Sequence, residues 1–179
     1  MADALFSSEV FQETWRIVES EFLTALGETF YVTILATAFA ILLGLPLGVL
    51  LVAGEKGGVM PLPKPLLKLI DVVINILRSV PFLILMILVI PLTRFLVGTS
   101  VGTVASIVPL VIAAFPFVAR LCESSLREVD PNVIEAAQSM GASPLQIICR
   151  VMIPEAVPSL ISNATIAVTT ILGYSAMAG

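Results

Sequence analysis

The chain contains no histidine and only two cysteines, Cys122 and Cys149. The missing histidine removes imidazole metal sites, Ser-His and Cys-His nucleophiles and imidazole proton shuttles together. Two thiols are too few for a disulfide framework. Charge is scarce too: Asp, Glu, Lys and Arg make up 12% of the 179 residues, against about 25% in a soluble domain. Nine basic residues against 13 acidic ones leave no basic face for nucleic acid. The opening segment carries Asp3, Glu9, Glu13, Glu19 and Glu21 around Arg16, so the basic n-region of a secretory signal is missing.

What the chain has instead is apolar residues, 58% of the total. An aqueous core needs no such excess, and disorder goes with the opposite composition. The solvent for most of this chain is a bilayer, and the fold expected is an all-α polytopic membrane helix bundle. A span takes about 20 mostly apolar residues. Phe30–Val52, Val101–Ala119 and Ala156–Gly179 are uncharged runs, and Ser79–Thr93 is a shorter one. It reaches span length by extending back through Leu66–Arg78 or forward across Arg94. Four spans follow, at about 28–52, 68–92, 101–122 and 155–178.

Leu66, Leu69, Ile70, Val73, Ile74 and Leu77 oppose Lys64, Lys68, Asp71, Asn75 and Arg78 at helical spacing, the pattern of an amphipathic helix. Residues 1–26 read similarly, with Phe11, Trp15, Val18 and Phe22 opposing Glu9, Glu13, Arg16 and Ser20. An extracytoplasmic amphipathic segment at the membrane interface is expected there, ahead of a permeation domain spanning 27–179. Lys56, Lys64, Lys68, Arg120, Arg127 and Arg150 fall on one side of the four spans and Arg16 and Arg94 on the other. The positive-inside rule then puts the amino terminus outside and both cysteines on the reducing side.

Small residues allow helices to approach closely in lipid. Thr29, Thr33, Thr37, Ala40, Gly44 and Gly48 line up on the first span, which reads as a packing seam. On the fourth span Ser162, Asn163, Thr165 and Thr169 read as lining for a translocation path, because an asparagine is costly in hydrocarbon without a partner or water. The loop 123–154 carries Asp130-Pro131 as cap and first helical residue, Gly141 as a stop, Ser143-Pro144 as a second start and Pro154 as a second stop. Two short helices joined by a glycine turn are expected. Ala136, Ala137 and Met140 would present a low-relief face to another protein, with Glu135 as a fixed charge.

Glu135-Ala136-Ala137, three residues, Gly141, nine residues, then Val151-Met152-Ile153-Pro154 resembles the EAA loop of type I ABC importer permeases. Arg78-Ser79-Val80-Pro81 resembles the entry to a span in that family. Asn75–Phe82, Val97–Gly102, Ala114–Arg120, Pro154–Ala156 and Gly173–Met177 are similar to its methionine-uptake branch. The resemblance implies a permease without chemistry of its own, with ATP and magnesium held by a partner. It implies a homodimer in the bacterial inner membrane, two ATP-binding subunits on the cytoplasmic loop, and an extracytoplasmic binding protein delivering methionine, L- or D-. Glu135, Ala136, Ala137 and Gly141 would form the contact, with Pro131 and Pro144 shaping it. Such relatives carry a fifth span beyond the segment matching Gly173–Gly179, so a fifth span is expected to be missing here. Another amino acid or small polar nutrient is an alternative cargo. An ion-coupled carrier is a second alternative, for which Asp71 and Arg78, read as lying near the cytoplasmic end, are the only charged candidates. A purely structural scaffold is a third.

Overall fold

The computed structural model describes residues 8–178, all-α without a strand. Asp3, the side chain of Glu9 and Gly179 lie outside the described residues. Helix α1, Ser8–Ala53, is continuous over 46 residues. The expected boundary near residue 26 is therefore no break in the helix. Gly27 is the one weak point there, and a single glycine costs about 1 kcal/mol, too little to end a helix flanked by Ala, Leu and Glu. Phe11 and Trp15 stay exposed and stack on each other with centroids 6.3 Å apart.

The expected second span, 68–92, is two helices. Helices α2, Lys64–Ser79, and α3, Phe82–Val97, meet at 113°. Pro81 supplies the reason: it has no N–H, and it forces Val80 into extended backbone (φ −82°, ψ 125°). Helix α4, Thr103–Arg127, then runs parallel to α1, residue numbers rising together along the contact. The capped segment α5, Pro131–Ser139, and the single turn α6, Pro144–Ile147, follow. Helix α7, Ile153–Ala178, closes the bundle. Among the described residues, α1, α4 and α7 are each long and apolar enough to cross a bilayer, and the bent pair α2–α3 supplies a fourth candidate.

The centre is built from α1, α4 and α7, where Ala36, Ala40, Leu110, Ala114, Ala167 and Ile171 are fully buried. The small-residue seam expected on α1 is the closest of these contacts. A Cβ built on Gly48 would stand 2.7 Å from the Cβ of Cys122 and 2.9 Å from the Ala119 carbonyl oxygen. One on Gly44 would stand 2.9 Å from the Ala119 nitrogen and 3.0 Å from the Phe115 oxygen. Backbone lies against backbone here, an approach that only glycine permits.

That approach brings charged groups together at one end of the bundle. Arg120 on α4 pairs with Asp71 on α2, donates to Asn75 Oδ1 at 3.0 Å, and holds Glu123 at 2.7 Å. Arg127 grips Glu55, just past α1, through two bonds of 2.6 and 3.1 Å and also reaches Glu123 at 2.8 Å. Arg120 is thus the tie between α2 and α4. The Arg127 guanidinium, chiefly by hydrogen bonding, holds the Glu55 carboxyl below its ordinary value of 4.5.

Two outcomes are expected from this packing. Gly48→Ala should lower stability by about 1–3 kcal/mol, the usual cost of overpacking, while Gly27→Ala, whose Cβ meets nothing within 4 Å, should leave it unchanged or raise it; thermal unfolding in detergent reads both. Because the Glu55 carboxyl is depressed in the folded chain, its tie to Arg127 is complete above pH 4.5 and lost as the pH falls through the lowered value. Hydrogen exchange at Gly54–Val59 should rise on that acidification, and Glu55→Gln should abolish the rise.

Candidate functional site

The loop between α4 and α7 is ordered by its own caps. Asp130 accepts the Asn132 N–H at 2.9 Å, with Pro131 as the first helical residue. Gly141 turns the chain at φ +78°, a conformation that costs an L side chain roughly 1–2 kcal/mol. Its N–H reaches the Gln138 oxygen at 2.9 Å and that of Ala142 the Ala137 oxygen at 3.1 Å, closing α5. Ser143 and Gln146 then cap each other reciprocally, with Pro144 between them. The start signals at Asp130-Pro131 and Ser143-Pro144 and the stop at Gly141 stand where the residues placed them.

The second stop does not. Pro154 was expected to end the second short helix, yet Pro144–Ala178 runs on as one rod. The turn Ile148–Met152 is π-helical, and the Ile153 N–H reaches back five residues to the Ile148 oxygen. The wider turn comes immediately before the residue that has no N–H to donate, so the proline enters the helix without ending it. The loop is an elbow: one free helix, α5, joined through Gly141 to the amino-terminal end of the α7 rod itself.

The elbow has two sides. Ala137, expected on the docking face, is buried with Ala53, Leu126, Val129, Ile147 and Met152. It stands about 100° round the helix from Ala136, and its small side chain seats α5 on the ends of α1, α4 and α7. The flank beside it is bare. Val133, Ala136 and Met140 share one stripe at spacings of three and four and are exposed, Met140 by 81%, with Leu145 beyond the turn exposed by 66%. Glu135 and Pro131 face a cavity of about 230 Å³ between α5 and the turn at Gly57–Val59. Val133 and Leu145 were missed as surface residues, because loop sequence alone does not say which helix face the bundle covers.

The four polar residues proposed for the fourth span separate. Ser162, Thr165 and Thr169 lie on the exposed face of α7, their hydroxyls donating to carbonyls of their own helix at 2.9–3.2 Å. Asn163 faces the other way. Its amide donates to the Leu121 oxygen at 3.1 Å and to Ser125 Oγ at 2.8 Å on α4, with Ser125 fully buried. The partner that its cost in hydrocarbon demands is inside the same chain, so Asn163 ties two helices and leaves the exposed stripe to the three hydroxyls.

Comparison with known proteins agrees with this geometry. Residues 44–179 match the family of binding-protein-dependent transport system inner membrane components. The chain is 51% identical over 166 residues to the probable D-methionine transport system permease protein MetI of Vibrio cholerae, covering 92% of this chain and 73% of that one. It is 46% identical over 152 residues to the D-methionine transport system permease protein MetI of Salmonella typhi, covering 85% and 70%. A solved inward-facing structure of the MetNI methionine ABC transporter superposes with a TM-score of 0.84 at 44% identity, over 87% of this chain and 71% of that chain. A capped elbow at one end of a helical bundle, the EAA spacing along it and these matches lead to one assignment: the chain belongs to the inner-membrane components of binding-protein-dependent transport systems, as a MetI-like type I ABC importer permease.

Proposed function

We propose that this permease imports methionine, D- and L-, driven by ATP and magnesium that bind on a partner. Two copies of the chain would enclose the path and rest on two ATP-binding subunits, with a binding protein delivering cargo from outside. The elbow lies in the cytoplasm and the amino terminus outside. The relatives' printed names support the cargo, and the neighbouring MetNI complex supports an ATP-binding partner.

The observation that carries the coupling role is the two-sidedness of the elbow. Closure of a motor can shift a transporter between states only through contacts that differ between those states. A push on the bare stripe of Val133, Ala136 and Met140 reaches Ala137, and through it the ends of α1 and α4 and the rod of α7, without a flexible link. Glu135 and Gly141 set the charge and the angle of that lever, and Pro131 and Pro144 its two helix starts. The exposed hydroxyls of Ser162, Thr165 and Thr169 form the polar side of the path. A different amino acid as cargo would leave this account of coupling unchanged.

Met140→Asp should reduce co-purification of the ATP-binding subunit on the order of tenfold, the loss of one buried anchor at an interface. Ala137→Leu should act differently, lowering thermal stability by overpacking the inner side. Undiminished pull-down with Met140→Asp would remove the stripe from the interface. ATP-driven uptake of labelled methionine by vesicles, unaffected by a protonophore, tests the cargo and the energy source. Uptake that follows the proton gradient instead would defeat the importer reading.

A further inference from the structure

The break in the second span takes no part in the elbow, yet it opens a cavity of about 220 Å³ between α2, α3, α4 and α7. Arg78, Val80, Phe82, Ala113, Phe117 and Tyr174 line it, and no carboxylate does. Its depth follows from the packing. Asn163 of α7 meets Leu121 and Ser125 near one end of α4, and Tyr174 lies about three turns farther along α7. That places it level with the middle of α4, where Ala113 and Phe117 sit. Arg78 is therefore well inside the bundle's length, level with the middle of α4, whereas the sequence reading put it near an end.

An arginine at such depth needs a partner or water. Arg120 and Arg127 each hold two carboxylates, whereas the Arg78 guanidinium makes no ion pair and no side-chain hydrogen bond among the described residues. The backbone around it is polarised as well. Pro81 caps α3 without a side-chain bond; its carbonyl takes the Ile84 and Leu85 N–H groups, those of Phe82 and Leu83 have no partner among the described residues, and the last carbonyls of α2 meet no continuing helix. A broken span thus sets a positive helix end and a negative one side by side. The remaining wall is aromatic: Phe82 and Tyr174 stack at 4.8 Å and 3°, with Phe117 beside them.

We infer that this cavity is a binding site for the cargo, on the face of α7 turned away from the Ser162, Thr165 and Thr169 stripe, shaped for a zwitterionic α-amino acid with an apolar side chain. Arg78 pairs with the α-carboxylate. The carbonyl end of α2 accepts the ammonium. Phe82, Phe117 and Tyr174 receive the side chain, to which a thioether adds sulfur–aromatic contact. The volume lies below that of pockets for drug-sized ligands, about 300–1,000 Å³, which favours one amino acid over a peptide. The inference rests on the amino-acid importer reading and names the site within it.

The test uses the permease with its ATP-binding subunit in vesicles and an L-amino acid carrying a diazirine in place of the methionine thioether. Photolabel should map to Phe82–Leu85 or to the peptide containing Tyr174, and excess L-methionine should suppress it. Methionine methyl ester, lacking the carboxylate, should compete about tenfold less well, and Arg78→Gln should lose about tenfold in labelling, the effect of one charge-assisted hydrogen bond. Arg78→Lys should fall between. Ester competing as well as the acid in the unaltered protein, or full labelling in Arg78→Gln, would overturn the site. ATP-driven uptake in the same vesicles separates the two ideas: uptake with Arg78-independent labelling defeats the site alone, and absence of amino-acid uptake defeats the importer reading and the site with it.

Discussion

Gly44 and Gly48 let the backbone of α1 rest on the backbone of α4, and the rest of the arrangement is hung from that contact. Hydrocarbon gives two apolar helices no reason to prefer each other over lipid, so association depends on close packing and on polar groups that find each other. With the seam closed, the end of α1 stands beside the end of α4. Arg127 then reaches Glu55, and Ala53 joins Leu126 in the cluster beneath the elbow. Side chains in place of the glycines would move all of these apart together.

The elbow is stiff for reasons that can be named residue by residue. Its caps are side-chain bonds, its turn is a glycine in a left-handed conformation, and its second arm is the start of a membrane helix. The π turn matters most. By absorbing Pro154 it removes the joint that the proline would otherwise have made between α6 and α7, so displacement of Leu145 is displacement of the whole rod. Transmission in a packed protein goes through contacts of this kind, discrete and nearly incompressible.

The second span is the counterpart: broken where the elbow path is continuous. Proline acts oppositely in the two places. Pro81 follows a residue already driven into extended backbone and redirects the chain by 113°, whereas Pro154 follows a π turn and the helix passes through it. Broken helices at membrane depth persist only where protein or a cavity meets their free backbone groups, and the one here opens on the space around Arg78.

Composition and periodicity were enough to establish a bilayer protein, all-α, with α1, α4 and α7 long and apolar enough to cross it, because the hydrocarbon thickness imposes its length on the sequence directly. Local capping chemistry was equally legible: Asp130, Pro131, Gly141, Ser143 and Pro144 act on neighbours within a few residues, and the structure uses each as read. What the chain could not declare by itself was which side of a helix another helix covers. Ala136 and Ala137 are identical and adjacent, and only the cluster on α1, α4 and α7 makes one bare and the other buried. Asn163 was legible as needing a partner, but Ser125 and Leu121 are its partners only because α7 lies antiparallel on α4. The same holds for Asp71 and Asn75, whose spacing marks a polar face while Arg120 lies far along the chain. Tertiary structure decided these because contacts between distant residues depend on helix rotation and depth, which no local period encodes.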